Sequence, residues 1–476
     1  MRILNLQAVA LLLLVAITVS SPSLGAVGPN VVLIYCDDLG YADLGCFGSK
    51  VCLTPNLDKM AAEGARFTDF YVSSAVCSAS RSALLTGAYH ERLGIRGALG
   101  PKDTKGLNHS ETTIAELLKG RGYATGMAGK WHLGCRASQL PIHHGFDEFL
   151  GIPYSNDMWP HHPEAPQSYP PLPLIEGDHP VIANVSPDDQ REFTTRFGDR
   201  AVAFIRRNKD RPFFFYLAPN MPHVPLFVQK AHEGRTGRGA YADVIAEIDD
   251  AVGKVLTTLK ELGLDEKTLV IFASDNGPWL SYGDHAGSAG PLREGKGTSY
   301  EGGIRVPMIA RWPSHIPPGS TRHEPAGTID ILPTLAALTH ATLPPRPIDG
   351  KDITPLLLGD SHAAPTHDAL FFYYADGQLQ AMRSGRWKLL FPHIARTMIG
   401  QGSGGGGTPG KYRALPVGLE LYDLETDLGE TMNLAAKYPE LVRDLQTRAD
   451  IIRDQLGDSL QKKTGHAVRP AGVAEN

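Results

Sequence analysis

The chain has 476 residues, of which 46 are Lys or Arg and 51 Asp or Glu. That length accommodates a large α/β domain and a smaller second one. The net charge of −5 argues against a nucleic-acid partner, which needs a broad basic face, so any anion site must be local.

Residues 1–26 read as a secretory signal peptide: Arg2 supplies the positive start, 8–19 is apolar, and small residues between Ser21 and Ala26 offer cleavage points. The apolar run is too short to cross a bilayer comfortably. The expectation is an exported chain (periplasmic, secreted, or lysosomal in a eukaryote) without stable membrane insertion. Five cysteines in an exported chain leave one with a separate fate. Cys46 and Cys52 are near enough in sequence to pair, although sequence alone does not establish it.

Residues 31–35 form a short β-branched run that ends in Cys36-Asp37-Asp38, as a central buried strand would. Helix is expected over 55–64 and 113–118, each closed by glycine, and strand over 66–72 and 123–128. Gly129-Lys130-Trp131-His132 follows the second of these strands directly. Residues 213–217 are apolar, and His223 comes shortly after them. Residues 241–262 keep helical spacing, and 269–273 is a strand ending in Ser274-Asp275-Asn276. Strands alternating with helices predict a large, mostly parallel mixed sheet sandwiched by helices, over 27–361. Every chemically suggestive cluster falls where such sheets bind ligands, beyond the carboxyl ends of strands. From 362 to 476 the short runs 369–374, 380–383, 387–391 and 419–422 predict a smaller antiparallel sheet containing a glycine-rich loop at 400–410. A helix over 441–456 follows.

Cys77 opens a segment with Arg81 four residues on. A cysteine at a helix start beside a cation is a candidate activated nucleophile. Asp37-Asp38 and Asp275-Asn276 offer only oxygen, which selects calcium or magnesium over zinc. Each pair taken alone is more often an ordinary turn or helix cap. Lys130, His132, His223 and Lys296 would singly be surface or structural residues; as a set at strand ends they read as a cationic site.

The segment Cys77-Ser78-Ala79-Ser80-Arg81, with Leu85-Thr86-Gly87 downstream, resembles the sulfatase signature. The likeness extends through Gly129–Gly134, Gly151–Asp157, Gly295–Gly303 and Leu421–Glu425 and covers nearly the whole mature chain, from Pro29 to about Leu434. It is strongest toward the arylsulfatase A and N-acetylgalactosamine-6-sulfatase branch of these formylglycine-dependent enzymes. The resemblance implies an alkaline-phosphatase-like fold and conversion of Cys77 to formylglycine by a maturation enzyme. It implies Ca2+, with Mg2+ open, held by Asp37, Asp38, Cys77, Asp275 and Asn276. It further implies catalytic roles for Cys77, Arg81, Lys130, His132, His223 and Lys296, and substrate contacts from Lys130, Ser155, His223 and Lys296. In the implied reaction a hydrated aldehyde attacks sulfur, His223 protonates the leaving alcohol and His132 removes the remaining hydroxyl proton. The implied substrate is a sulfate monoester, with a sulfated carbohydrate preferred on family frequency.

Two rival readings predict different observations. A phosphoesterase or phosphonate monoester hydrolase of the same superfamily with two metals needs further aspartate and histidine ligands, and here Asn276 stands after Asp275. A non-catalytic carbohydrate-binding homologue would keep an unmodified thiol at Cys77.

Overall fold

The computed structural model describes residues 28–360 and 366–474, so the expected signal peptide lies outside the described residues. The main sheet comprises β1 (Asn30–Cys36), β2 (Ala65–Tyr71), β3 (Ala124–Lys130), β4 (Glu148–Ile152), β5 (Leu174–Glu176), β6 (His179–Ile182), β7 (Phe213–Ala218), β8 (Thr268–Ser274), β9 (Arg305–Arg311) and β10 (Ser320–Arg322). The spatial order is β10-β2-β9-β8-β1-β7-β3-β4-β5-β6, and the two-residue strand β11 (Ala326–Gly327) also pairs with β2. From β8 to β4 all neighbours are parallel. β9 runs against both β8 and β2, so β2 again points the same way as β1.

Central strands are buried on both faces, which is why they read as unbroken apolar runs. In β1, Val31, Leu33 and Tyr35 enter one core while Val32, Ile34 and Cys36 enter the other. The second core is closed by helices α1 (Pro55–Ala62), α4 (Phe193–Arg207) and α5 (Ala240–Glu261). The first is closed by α2 (Cys77–Thr86), α3 (Ile114–Lys119) and α6 (Ile331–Thr339). α3 starts at a reciprocal cap in which Thr113 and Glu116 satisfy each other's backbone N–H groups. No helix among the described residues is long and apolar enough to cross a membrane.

A four-stranded antiparallel sheet comes next, formed by β12 (Leu370–Tyr374), β13 (Gln378–Ser384), β14 (Trp387–Leu390) and, after the hairpin β15 (His393–Thr397) and β16 (Arg413–Val417), β17 (Glu420–Asp423). Helix α7 (Pro439–Leu456) packs with it. The glycine-rich loop was expected within this sheet; it is instead the tip of the separate β15–β16 hairpin. The small sheet continues the first core, with Phe372 packed on Tyr71 at 5.4 Å. All five cysteines are free, so Cys46 and Cys52 are not joined.

A buried charge network ties the two sheets together. Lys388 lies 2.9 Å from Glu301 and 2.8 Å from Glu430. Glu301 also accepts from Tyr71 at 2.6 Å and pairs with Arg305 at 3.3 Å. Burial alone would raise both carboxyls. At Glu301 the cations Lys388, Arg305 and Arg383 outweigh it and hold the group down at about 2. At Glu430 burial wins over Lys388, and its carboxyl is pushed up to about 7. Removing one partner of a buried charge network costs about 3–5 kcal/mol, so Glu301→Gln should lose that much in urea unfolding near neutral pH. Glu430→Gln replaces a group that the fold prefers neutral. As pH rises from about 4.5 to about 7, the parent's unfolded state releases a proton that its folded state keeps, and the parent loses stability. Glu430→Gln should therefore gain on the parent across that window. A flat difference would refute the assignment.

Candidate active site

Because the strands from β8 to β4 are parallel, their carboxyl ends share one edge of the sheet. β1 delivers Asp37 and Asp38 there, and β8 delivers Asp275 and Asn276. β3 ends at Lys130 and leads into His132; His223 follows β7, and Ser155 follows β4. β2 points the same way and leads to Cys77, the first residue of α2. β9 runs in reverse, so its start faces this edge and Lys296 arrives in the segment before it. None of these side chains belongs to a residue more than 6% exposed, so their charges interact with little solvent screening.

The Cys77 thiol lies 3.3 Å from Asp37 Oδ1, and Lys296 Nζ lies 3.5 Å from the sulfur. Lys296 also grips Asp38 at 2.8 Å and sits 4.4 Å above the Trp279 ring. Lys130 pairs with Asp37 and donates to Ser155 Oγ at 3.1 Å. His223 Nε2 is 3.5 Å from that hydroxyl and 3.6 Å from Asp38 Oδ2, while its Nδ1–H is committed to the Val224 carbonyl. His132 Nε2 donates to the Leu99 carbonyl at 2.8 Å, which leaves its buried Nδ1 as an unclaimed lone pair. Asp38 and His132 both hold positive φ, of 62° and 59°, a conformation that asparagine, aspartate and histidine tolerate better than most residues.

Arg81 is fully buried behind the carboxylates. It donates to Asp275 Oδ2 at 3.0 and 2.8 Å, lies 3.7 Å from Asp37 and stacks 5.6 Å from the Tyr35 ring. This bears on the reading of Cys77 as an acidified thiol. Burial and then Asp37 push the Cys77 thiol well up, and the guanidinium that should have lowered it is engaged with Asp275. As a plain thiol, position 77 is not a strong nucleophile.

Burial also opposes ionisation of Asp37, but the cations Lys130, Arg81 and Lys296 hold its carboxyl well below the usual range. Asp275 is pushed up to about 7, by burial first and by Asp37 next. Burial, followed by Lys130 at His132 and by Lys296 at His223, lowers both histidines and keeps them neutral.

The oxygens of Asp37, Asp38 and Asn276 fit a hard divalent cation, whereas a thiol and an imidazole are softer donors. Ligand atoms of Asp37, Asp38, Cys77 and His223 all lie within 4.8 Å of one another. Asn276 Nδ2 donates to Asp38 at 2.7 Å, while its buried Oδ1 has no protein partner. An orphaned buried oxygen of this kind asks for an ion or a water. Asp275 contributes differently, since its oxygens already accept from Arg81 and from the Asp38 N–H.

Sequence reasoning missed Trp279, which packs edge-on to His223 at 5.5 Å, and the Leu99 carbonyl that sets the His132 tautomer. A backbone acceptor leaves no signal in residue type, whereas Trp279, four residues after Asp275, could have been found. Among the loop histidines, His162 lies 3.7 Å from Asp157, His161 packs on Trp159, and His285 lies near Gly407.

The sulfatase family profile matches residues 29–341, and a profile of the C-terminal region of aryl-sulfatase matches 365–473. Arylsulfatase A of Homo sapiens is 43% identical over 90% of this chain and 88% of its own length. N-acetylgalactosamine-6-sulfatase of Canis lupus familiaris is 38% identical over 79% and 74%, respectively. The crystal structure of Ps i-CgsB in complex with k-i-k-neocarrahexaose superposes with a TM-score of 0.74 at 28% identity, covering 90% of this chain and 94% of that one. The chain belongs to the sulfatase family and is a sulfuric ester hydrolase.

Proposed function

We propose that this sulfatase removes sulfate from a carbohydrate monoester after export, with Cys77 converted to formylglycine by a maturation enzyme. The observation that carries the reading is the setting of Cys77, whose sulfur sits between Asp37 and Lys296 while its thiol is held protonated. A nucleophile is wanted at that position and the unmodified side chain is a poor one. The carbohydrate preference draws support from the oligosaccharide bound to the Ps i-CgsB neighbour.

Asp37, Asp38, Asn276, Asp275 and residue 77 would hold the cation, best suited to calcium, which when bound polarises a sulfate oxygen. The aldehyde hydrate at position 77 supplies an oxygen nucleophile. Lys130, Lys296 and Ser155 bind the remaining sulfate oxygens, and each well-placed donor contributes about 3–4 kcal/mol where charge develops. His223 presents only Nε2 to the leaving alcohol, because its other nitrogen is tied to Val224. An anionic ester beside that nitrogen raises its proton affinity, so His223 can protonate the departing oxygen. His132, neutral and with Nδ1 free, then takes the proton of the second hydroxyl at position 77, so that the bond from its carbon to the sulfate oxygen breaks, sulfate leaves and the aldehyde re-forms. Arg81 acts from behind by fixing Asp275.

Cys77→Ala should lower kcat/KM for an aryl sulfate by at least ~10³-fold, as loss of a nucleophile does elsewhere. Mass spectrometry of the peptide containing position 77, from protein made with the maturation enzyme, should find an aldehyde. A thiol in fully active protein would defeat the proposal. An aryl phosphate turned over faster than the matching sulfate would move the reading to a phosphoesterase.

Chelation should abolish turnover, and added calcium should restore it. Asn276→Ala should raise the calcium needed for half-maximal activity by about tenfold or more. An unchanged calcium requirement would remove Asn276 from the ligand set.

A further inference from the structure

We propose that Arg396, on the hairpin β15–β16, is a positioning residue that sets Lys296 over the reacting group; this rests on the reading of Lys296 as a sulfate-binding cation. Lys296 lies in a stretch between His285 and Glu301 that contains no helix or strand. Its ammonium must nevertheless be held between the Asp38 carboxylate, the Cys77 sulfur and the Trp279 ring. Its own N–H is tied to the Pro278 carbonyl at 2.9 Å, and the next N–H, of Gly297, to Ala75 at 3.0 Å. The carbonyl of Lys296 is taken by Arg396 Nη2.

That contact has the marks of a fitted joint. Gly297 has a φ of 78°, and a Cβ there would lie 2.1 Å from the Arg396 guanidinium, so glycine is what admits the arginine. The guanidinium stacks 4.3 Å from the Tyr412 ring at the other side of the hairpin. Among the described residues Arg396 makes no ion pair and its Nε has no partner, so its placement is not explained by charge pairing. The hairpin holds the surroundings as well. Glu294, buried, accepts from Thr397 Oγ1 and from the Met398 N–H at 3.1 Å. Gly404 and Gly410 N–H groups both donate to the Ser281 carbonyl, at 2.8 and 2.7 Å, and Gly406 donates to Asp284 at 2.9 Å. The two segments that flank the lysine, one bearing Trp279 and one bearing Lys296 itself, are thus joined through a hairpin from the far end of the chain. A lysine could not replace Arg396, because it offers neither the planar fork nor the stacking face.

The test is a double-mutant cycle on the matured enzyme, using an aryl sulfate and checking folding by thermal unfolding. Arg396→Ala should lower kcat/KM by about 10–100-fold, the cost of misplacing a reacting or binding group by about 1 Å. Arg396→Lys should not restore it. In a Lys296→Ala background the same arginine change should cost no more than about twofold, because there is no ammonium left to aim. Calorimetry of inorganic sulfate binding to unconverted protein should show the same non-additivity. If Arg396→Ala does not fold, Arg396→Gln carries the same cycle. An equal loss in both backgrounds, or full rescue by lysine, would overturn the positioning role alone. Full activity in Lys296→Ala would overturn it together with the assignment of Lys296.

Discussion

Asp37, Asp38 and Asp275 are carboxylates buried at the ends of two adjacent parallel strands, and like charges that close cannot persist out of water without cations brought to them. Arg81, Lys130 and Lys296 answer that demand, and each comes from a different element: the first turns of α2, the last residue of β3, and the segment before β9. The constraint is therefore topological as well as electrostatic. Helices, strands and loops remote in sequence must converge before the acidic edge is tolerable, and the same convergence gathers three cations at one edge of the sheet. Structure and chemistry draw on one set of charges.

Those cations do not play equivalent parts. Arg81 holds Asp275 through two nitrogens, donates to the Lys130 carbonyl and is backed by Tyr35, so it stabilises the acidic edge from within. Lys130 and Lys296 each hold a carboxylate on one side and approach a serine hydroxyl or the Cys77 sulfur on the other. Neither is held through a two-nitrogen contact of the kind that fixes Arg81. The difference comes from geometry: a guanidinium engaged through two nitrogens is fixed, whereas an ammonium on a flexible stem can share itself.

Much of this was legible in the sequence because burial on both faces writes a plain pattern. β1, β7 and β8 are short apolar runs, and the acids after β1 and β8 mark where the sheet meets its ligand. The periodicity of α5 gave its extent to within a residue or two at each end. Strand β9 was not read from the sequence, and its direction could not have been, since an apolar strand reads alike either way and only its neighbours decide. Helix α4 carries Phe193, Phe197, Ala201 and Phe204 at helical spacing, yet intervening threonines and a glycine hid it. The hairpin beside the glycine-rich loop was obscured for a related reason: β16 is mostly exposed and contains a proline, so it lacks the apolar alternation of a buried strand. The expectation of an acidic thiol at Cys77 came from counting a nearby cation without knowing that Asp275 had already claimed it.

The reversed course of β9 has an outcome on the opposite side of the molecule. The chain ahead of this strand meets the chemistry, whereas Trp312 and His315, just beyond its last residue, emerge at the amino-terminal edge. There they border a cavity of about 750 Å³ shared with Lys209, Arg211 and Lys267. The length of the strands separates that rim from the edge that carries Asp37, Asp38 and Lys296. A tether placed on Lys209, Arg211 or Lys267 would therefore attach at the sheet edge opposite Asp37, Asp38 and Lys296.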